Sequence, residues 1–198
     1  MQDKSKFEVA TWNKIRKILL EQAEKIRKEN FKVDIIIGIA RGGWIPARIL
    51  SDFLDISDLA SMRVEFYLGP SETRKAPILT QGVSSTVSGK NVLLVDDIAD
   101  TGKSLALAKD HILEKGAADV RILTVYRKPW SDVNPEYFGR ETPCWVIFPW
   151  ETRETLRKIA EKYRDRKAIA QEFSKLVKAG LSKRFADEFL KEIEDAPC

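Results

Sequence analysis

Three short runs in this chain are too continuously apolar to lie on a surface: VDIIIGIA at 33–40, NVLLV at 91–95 and VRILTVY at 120–126. A strand with one face in water alternates apolar and polar side chains, so runs of this kind belong to a sheet covered on both faces. Between them the spacing turns helical. Thr11–Asn30 places Trp12, Ile15, Leu19, Ala23 and Ile26 on one side, and Ile45–Leu54 carries Pro46 in its first turn with Ile49, Leu50 and Phe53 facing inward. Lys103–Lys115 repeats the pattern with Leu105, Ala108 and Ile112, while Leu59–Tyr67 alternates like a further strand. Strands and helices in alternation predict an α/β fold, a mostly parallel sheet covered by helices on both faces.

That architecture directs attention to the ends of its strands, because open parallel sheets bind ligands beyond the carboxyl ends of their strands. Two loops lie there. Arg41-Gly42-Gly43 follows the first apolar run, and Asp96 to Ser104, DDIADTGKS, follows the second. Gly102-Lys103-Ser104 invites comparison with a nucleotide-triphosphate loop, G-x-x-x-x-G-K-[ST]. The first glycine of that motif would fall at residue 97, which is Asp97, and a carboxylate there repels the phosphates the backbone must cradle. What remains is an anion site at a helix N-terminus, made by the amides of Thr101 to Ser104 with hydroxyls and Lys103 at hand. Asp96 and Asp97 stand where they can accept hydrogen bonds from vicinal hydroxyls. A phosphate beside a diol describes a ribose 5-phosphate.

Composition removes other chemistries. The single histidine, His111, lies beside the apolar stripe of its helix and reads as a surface or edge residue, which argues against a Ser-His triad, and a histidine-rich metal site has no second histidine from which to form. Catalysis then rests on carboxylates, Lys, Arg and backbone dipoles. The formal charge of +4 suits an anionic ligand as well as it suits a solvated lysine-rich surface. No apolar stretch approaches the roughly 20 residues needed to span a bilayer, and MQDKSKFEV has no apolar leader core. With only Cys144 and Cys198, the expected compartment is a reducing cytoplasm.

VLLVDDIADTGKS resembles the phosphoribosyl-pyrophosphate signature of the type I phosphoribosyltransferases, and IARGGWIPARILSDFL resembles their pyrophosphate loop. RKPW and WVIFPWE are similar to the base-binding hood of the bacterial xanthine-guanine and archaeal hypoxanthine-guanine enzymes, and the resemblance runs from about Thr11 to Glu151. Within that family Asp at position 100 marks 6-oxopurine enzymes. The resemblance implies a phosphoribosyl-pyrophosphate site made of Arg41, Gly42, Gly43, Asp96, Asp97, Ala99, Asp100, Thr101, Gly102, Lys103 and Ser104. It implies a base site at Lys128, Trp145 and Val146, with Lys128 on the purine O6. Magnesium is the implied cofactor, held at Asp96 and Asp97 through the ribose and pyrophosphate, with Glu151 a further candidate. Asp100 and Arg41 would be catalytic, Asp100 at purine N7 and Arg41 on the departing pyrophosphate.

The implied reaction transfers the 5-phosphoribosyl group of phosphoribosyl pyrophosphate to N9 of hypoxanthine, guanine or xanthine. Ile147 stands where xanthine-guanine enzymes have an acid, and Phe66 precedes Tyr67 where other hypoxanthine-guanine enzymes have Ser-Tyr, so the preferred base stays open. A second reading keeps the fold but makes the protein a regulatory sensor of phosphoribosyl pyrophosphate. Its basic tail would then touch nucleic acid, but the tail alternates acids with bases and has no reading motif.

The expected organisation is a phosphoribosyltransferase domain over 1–151, with a core at about 31–127 and a hood from 1–30 and 128–151, followed by a helical extension over 152–198. Leu68–Lys90 is long and polar and reads as a lid, with PILTQ as a short strand inside it. The extension reads as two helices, Thr155–Ala179 and Ser182–Glu194, broken at Gly180. Phe185, Phe189 and Ile193 form a narrow stripe on the second, and the expectation is that it packs on another subunit of a homodimer or higher homo-oligomer.

Overall fold

The computed structural model describes residues 7–67, 76–163 and 165–195. In chain order the elements are β1 (Phe7–Val9), α1 (Trp12–Lys28), β2 (Ile35–Ala40), α2 (Trp44–Leu54), β3 (Leu59–Tyr67), β4 (Ala76–Gln81) and β5 (Asn91–Ala99). There follow α3 (Lys103–Glu114), β6 (Asp119–Arg127), β7 (Tyr137–Glu141), β8 (Trp145–Ile147), α4 (Thr152–Tyr163), α5 (Arg166–Lys178) and α6 (Lys183–Asp195). The chain divides into two compact units, Ile15–Pro143 and a second assembled from both chain ends, Met1–Lys14 with Cys144–Cys198.

The first unit holds a six-stranded sheet in the order β4-β3-β2-β5-β6-β7. Every pairing is parallel except that of β4 with β3. Ile35, Ile36 and Ile37 of β2 and Val92 to Val95 of β5 have no exposed surface, as expected of strands covered on both faces. Ile35, Ile37, Leu94, Leu105, Ala108, Ile112 and Ile122 belong to one core cluster, which joins the central strands to α3. From β2 the chain crosses by α2 to β3 on one side, and from β5 it crosses by α3 to β6 on the other. The direction of winding therefore reverses between β2 and β5, and the crevice at their carboxyl ends is the topological switch point.

Two sequence expectations change in this unit. β5 continues past Val95 to Ala99, because β6 goes on pairing after β2 has stopped: Asp96 is opposite Thr124, and Ala99 opposite Arg127. The paired aspartates thus lie within a strand rather than after it. In the segment expected to form a lid, PILTQ does lie in a strand, β4. Val87 is buried in the core and Gly89 donates its N–H to the Gly116 carbonyl, so 82–90 packs on the sheet. The remaining part of that expectation, 68–75, lies outside the described residues.

The second unit pairs β1 with β8 in parallel, Phe7 opposite Trp145. Its core gathers Ile147, Leu156, Ile159, Ile169, Phe173, Leu176 and Phe189. Three helices follow Glu151 where two were expected, because the chain breaks before Asp165. The Asp165 carboxylate caps α5 by accepting the Ala168 N–H at 2.9 Å. Gly180, at φ 111°, makes the second break as expected. The Phe185, Phe189 and Ile193 stripe does not wait for another subunit. Phe189 is 5% exposed and its ring centroid lies 6.1 Å from that of Phe173, while Phe185 and Ile193 pack on the same cluster. A helix joined by a short turn meets its own neighbours at a far higher effective concentration than a second chain can supply, so the apolar stripe closes locally. Phe189→Ala is expected to cost about 3 kcal/mol in the stability of this unit. Denaturant unfolding followed at this unit would show it, and an unchanged midpoint would mean that the stripe carries no packing energy.

Candidate functional site

The two loops named from the sequence meet at the switch point, and their glycines explain how. A Cβ on Gly43 would lie 2.3 Å from the Val95 carbonyl oxygen and 2.8 Å from the Asp96 Cα. A Cβ on Gly42 would lie 2.0 Å from Asp97 Oδ2. Only a chain without side chains at both positions passes this close to β5, and in doing so it lays the turn after β2 against the Asp97 carboxylate. The Ala40–Arg41 peptide in this turn is cis, and the Arg41 side chain is exposed.

On the other side of β5 the loop 100–102 leads into α3. Gly102 has φ 84°, and its Cα faces the Val133 backbone N, which a Cβ would approach to 2.7 Å. The Gly102 carbonyl accepts the Ala106 N–H and starts the helix, and Lys103 and Ser104 open its first turn. The first amides of that turn have no acceptor within the helix, which makes the turn an anion seat. Around it lies a cavity of about 420 Å³ lined by Phe66, Asp96–Ile98 and Asp100–Leu105. A volume of this order suits a sugar phosphate.

Within the cavity Asp96 and Asp97 form an unequal pair. Asp97 is 8% exposed, and its backbone N–H donates to Asp96 Oδ1 at 2.9 Å. Burial pushes the Asp96 carboxyl well above the usual carboxylate range, and the Asp97 charge beside it pushes in the same direction. Two carboxylates held together this way favour a proton, a hydroxyl donor or a cation between them. The effect on stability follows directly. Below the ordinary carboxylate pKa both folded and unfolded chains hold the proton, and the fold carries no penalty; as pH rises through the raised Asp96 pKa the folded chain must ionise, and stability is lost. Asp96→Asn, which keeps the acceptor for the Asp97 N–H, is therefore expected to raise the melting temperature at neutral pH and leave it unchanged near pH 3. Equal shifts at both pH values would show that the pair carries no buried charge penalty.

The other expected residues are placed as follows. Ala99 is buried at the end of β5, and its carbonyl accepts the Lys128 N–H at 2.8 Å. Lys128 is only 6% exposed, which removes it from the ordinary surface lysines. Asp100 is exposed and lines the cavity. Trp145, Val146 and Glu151 belong to the unit built from the chain ends. There Trp145 is 58% exposed on β8, the Val146 side chain is buried, and the Glu151 carbonyl accepts the Thr155 N–H at the start of α4. Ile147 is 1% exposed in the core of that unit. Two residues escaped selection from the sequence. Phe66, noted only as a departure from a pattern, lines the cavity at the end of β3. Trp130, the last residue of RKPW, donates its indole N–H to Asp100 Oδ1 at 2.9 Å.

The donor set fits a magnesium ion brought in with its ligand. Among the described residues no cluster of three or more His, Cys, Asp or Glu side chains is arranged to hold a metal unaided. Yet three carboxylates, Asp96, Asp97 and Asp100, share one cavity with the anion seat. A polyanionic ligand entering so acidic a cavity needs a divalent cation to offset the repulsion. Among the described residues no helix is long and apolar enough to cross a membrane.

These features have counterparts in known proteins. Residues 8–155 match the phosphoribosyl transferase domain. A purine phosphoribosyltransferase structure from Pyrococcus horikoshii superposes with a TM-score of 0.66 at 36% identity, covering 73% of this chain and 93% of that one. Hypoxanthine-guanine phosphoribosyltransferase from Schizosaccharomyces pombe is 28% identical over 184 residues, 73% of this chain and 88% of its own length. Xanthine-guanine phosphoribosyltransferase from Gluconobacter oxydans is 26% identical over 146 residues, 74% of this chain and 85% of its own. With a matching domain that spans both glycine loops, the parallel sheet and the acidic strand end, the chain belongs to the phosphoribosyl transferase family.

Proposed function

We propose that this protein transfers the 5-phosphoribosyl group of phosphoribosyl pyrophosphate to N9 of a 6-oxopurine, hypoxanthine, guanine or xanthine, releasing pyrophosphate in purine salvage. The observation that carries the reading is the single cavity that joins the Asp96–Asp97 pair, the anion seat at α3 and Asp100. The names of the relatives, xanthine-guanine and hypoxanthine-guanine phosphoribosyltransferases, support the choice of base.

In this reading the 5-phosphate takes the first-turn amides of α3 with the Thr101 and Ser104 hydroxyls and Lys103. The ribose diol donates to Asp96 and Asp97. The pyrophosphate lies along Arg41, Gly42 and Gly43, where the exposed Arg41 guanidinium meets its charge. Asp96 and Asp97 would hold magnesium through the ribose and pyrophosphate, and the ion would supply charge neutralisation to the leaving group. The bond from ribose C1 to the pyrophosphate oxygen breaks and the bond to N9 forms, through a transition state with oxocarbenium character on the ribose. As the purine becomes cationic its proton is taken or shared at N7 by Asp100, while Lys128 holds O6; Trp145 and Val146 are the further residues proposed for the base. Glu151 is a further candidate for the metal. The protein works as a homodimer or higher homo-oligomer in the cytoplasm, with no membrane or nucleic-acid partner.

The test is nucleotide formation from phosphoribosyl pyrophosphate and magnesium with hypoxanthine, guanine, xanthine and adenine run in parallel. Turnover with one or more of the first three and none with adenine is the expected result. Tight binding of phosphoribosyl pyrophosphate with no nucleotide formed from any base would point instead to a sensing protein of the same fold.

A further inference from the structure

Trp130 is 53% exposed, and its one polar side-chain atom is committed to Asp100 Oδ1 at 2.9 Å. The segment that carries it is fixed from both directions. Lys128-Pro129-Trp130-Ser131 is a turn in which the Ser131 N–H donates to the Lys128 carbonyl at 3.1 Å, with proline at the position that presets its backbone. That turn is tied to the phosphate loop on either side of Asp100. The Lys128 N–H donates to the Ala99 carbonyl at 2.8 Å and the Asp132 N–H to the Thr101 carbonyl at 3.2 Å. Next along, Val133 packs against Gly102, where no side chain fits. The indole is thus held against the Asp100 carboxylate by backbone bonds that bracket it. Its ring also lies 5.4 Å from Lys128 Nζ.

We propose that Trp130 is a positioning residue for Asp100: its indole N–H holds one carboxylate oxygen so that the other is aimed at the purine. The inference rests on the assignment of Asp100 to purine N7. An aspartate on an exposed loop otherwise samples several rotamers, and a carboxylate that must meet one ring nitrogen gains from having its plane fixed beforehand. Indole is suited to this. It donates one hydrogen bond and accepts none, so it binds the carboxylate without offering a competing acceptor to the base, and a bond to an ionised acceptor is among the stronger kinds. Once a base covers the site and displaces water, that bond strengthens at the step where Asp100 acts.

The test compares the wild type with Trp130→Phe, Asp100→Ala and the double variant, measuring kcat and both KM values. Phenylalanine keeps a ring beside Lys128 and removes only the donor. Trp130→Phe is expected to lower kcat about tenfold, with the KM for phosphoribosyl pyrophosphate and the melting temperature unchanged, and to cause no further loss when Asp100 is already alanine. The Trp130 indole N–H resonance in ¹⁵N-labelled protein, identified by its disappearance in Trp130→Phe, should shift in Asp100→Ala. A wild-type kcat in Trp130→Phe, or the same tenfold loss in the Asp100→Ala background, overturns the proposal and assigns Trp130 to the base or to the fold. Full activity in Asp100→Ala would instead remove the premise, the assignment of Asp100, and the proposal with it.

Discussion

Asp100→Asn should leave the fold and the binding of phosphoribosyl pyrophosphate intact while lowering turnover with 6-oxopurines by roughly two to three orders of magnitude. The substitution is nearly isosteric, and its amide oxygen can still accept the Trp130 N–H that now goes to Asp100 Oδ1. In the proposed reaction, what it removes is the negative charge that Asp100 would turn toward a purine becoming cationic in the transition state. Because that charge matters most when the purine is half-transferred, kcat should fall while the KM for phosphoribosyl pyrophosphate stays in place. Single-turnover kinetics separate the chemical step from product release, and near wild-type chemistry in the variant would take Asp100 out of the mechanism.

A second large effect is expected from Gly42→Ala. The new methyl carbon would lie 2.0 Å from Asp97 Oδ2 and 2.4 Å from its Cγ, so either the carboxylate turns away or the loop lifts from β5. Both moves separate the two halves of the site. A displacement near 1 Å in a binding constellation can cost about a hundredfold, and affinity for phosphoribosyl pyrophosphate in the presence of magnesium should fall by that order. Gly43→Ala differs in kind. Its clashes, at 2.3 Å with the Val95 carbonyl and 2.8 Å with the Ile39 carbonyl, are with backbone that no rotamer can relieve, so it should lose stability as well as affinity. Titration calorimetry beside thermal melts distinguishes the two, and full affinity in Gly42→Ala would show that the turn and Asp97 serve different ligands.

The parallel core was legible because Ile35 to Ile39 and Val92 to Val95 are buried on both faces, and no surface strand carries such runs. The loop between β5 and α3 was legible because glycine is needed at φ 84°, and the residues that line the cavity around it are close to consecutive. The legible part ends where partners are distant in sequence. Trp130 lies 30 positions from the carboxylate it touches, and the only sign of it was a tryptophan after a proline in a segment already under suspicion for its lysine. β7 is a short, half-polar strand and β8 is only three residues long, so their pairing depends on neighbours rather than on their own pattern. In the tail, helical spacing ran unbroken across 163–166 by amphipathicity alone. Asp165 was the available signal, an N-cap residue type inside the span read as one helix.

The unit made from both chain ends has a consequence for synthesis on the ribosome. β1 emerges first, but its partner β8 is translated more than a hundred residues later, and the helices that complete its core come later still. The segment 15–143, with its own sheet and core, is complete in sequence well before that. Vectorial synthesis therefore imposes an order: the unit with the glycine loops and the acidic strand end can fold while Phe7, Glu8 and Val9 still wait as an unpaired strand. A strand that carries a charge at its centre, as β1 does at Glu8, is a poor template for aggregation during that delay.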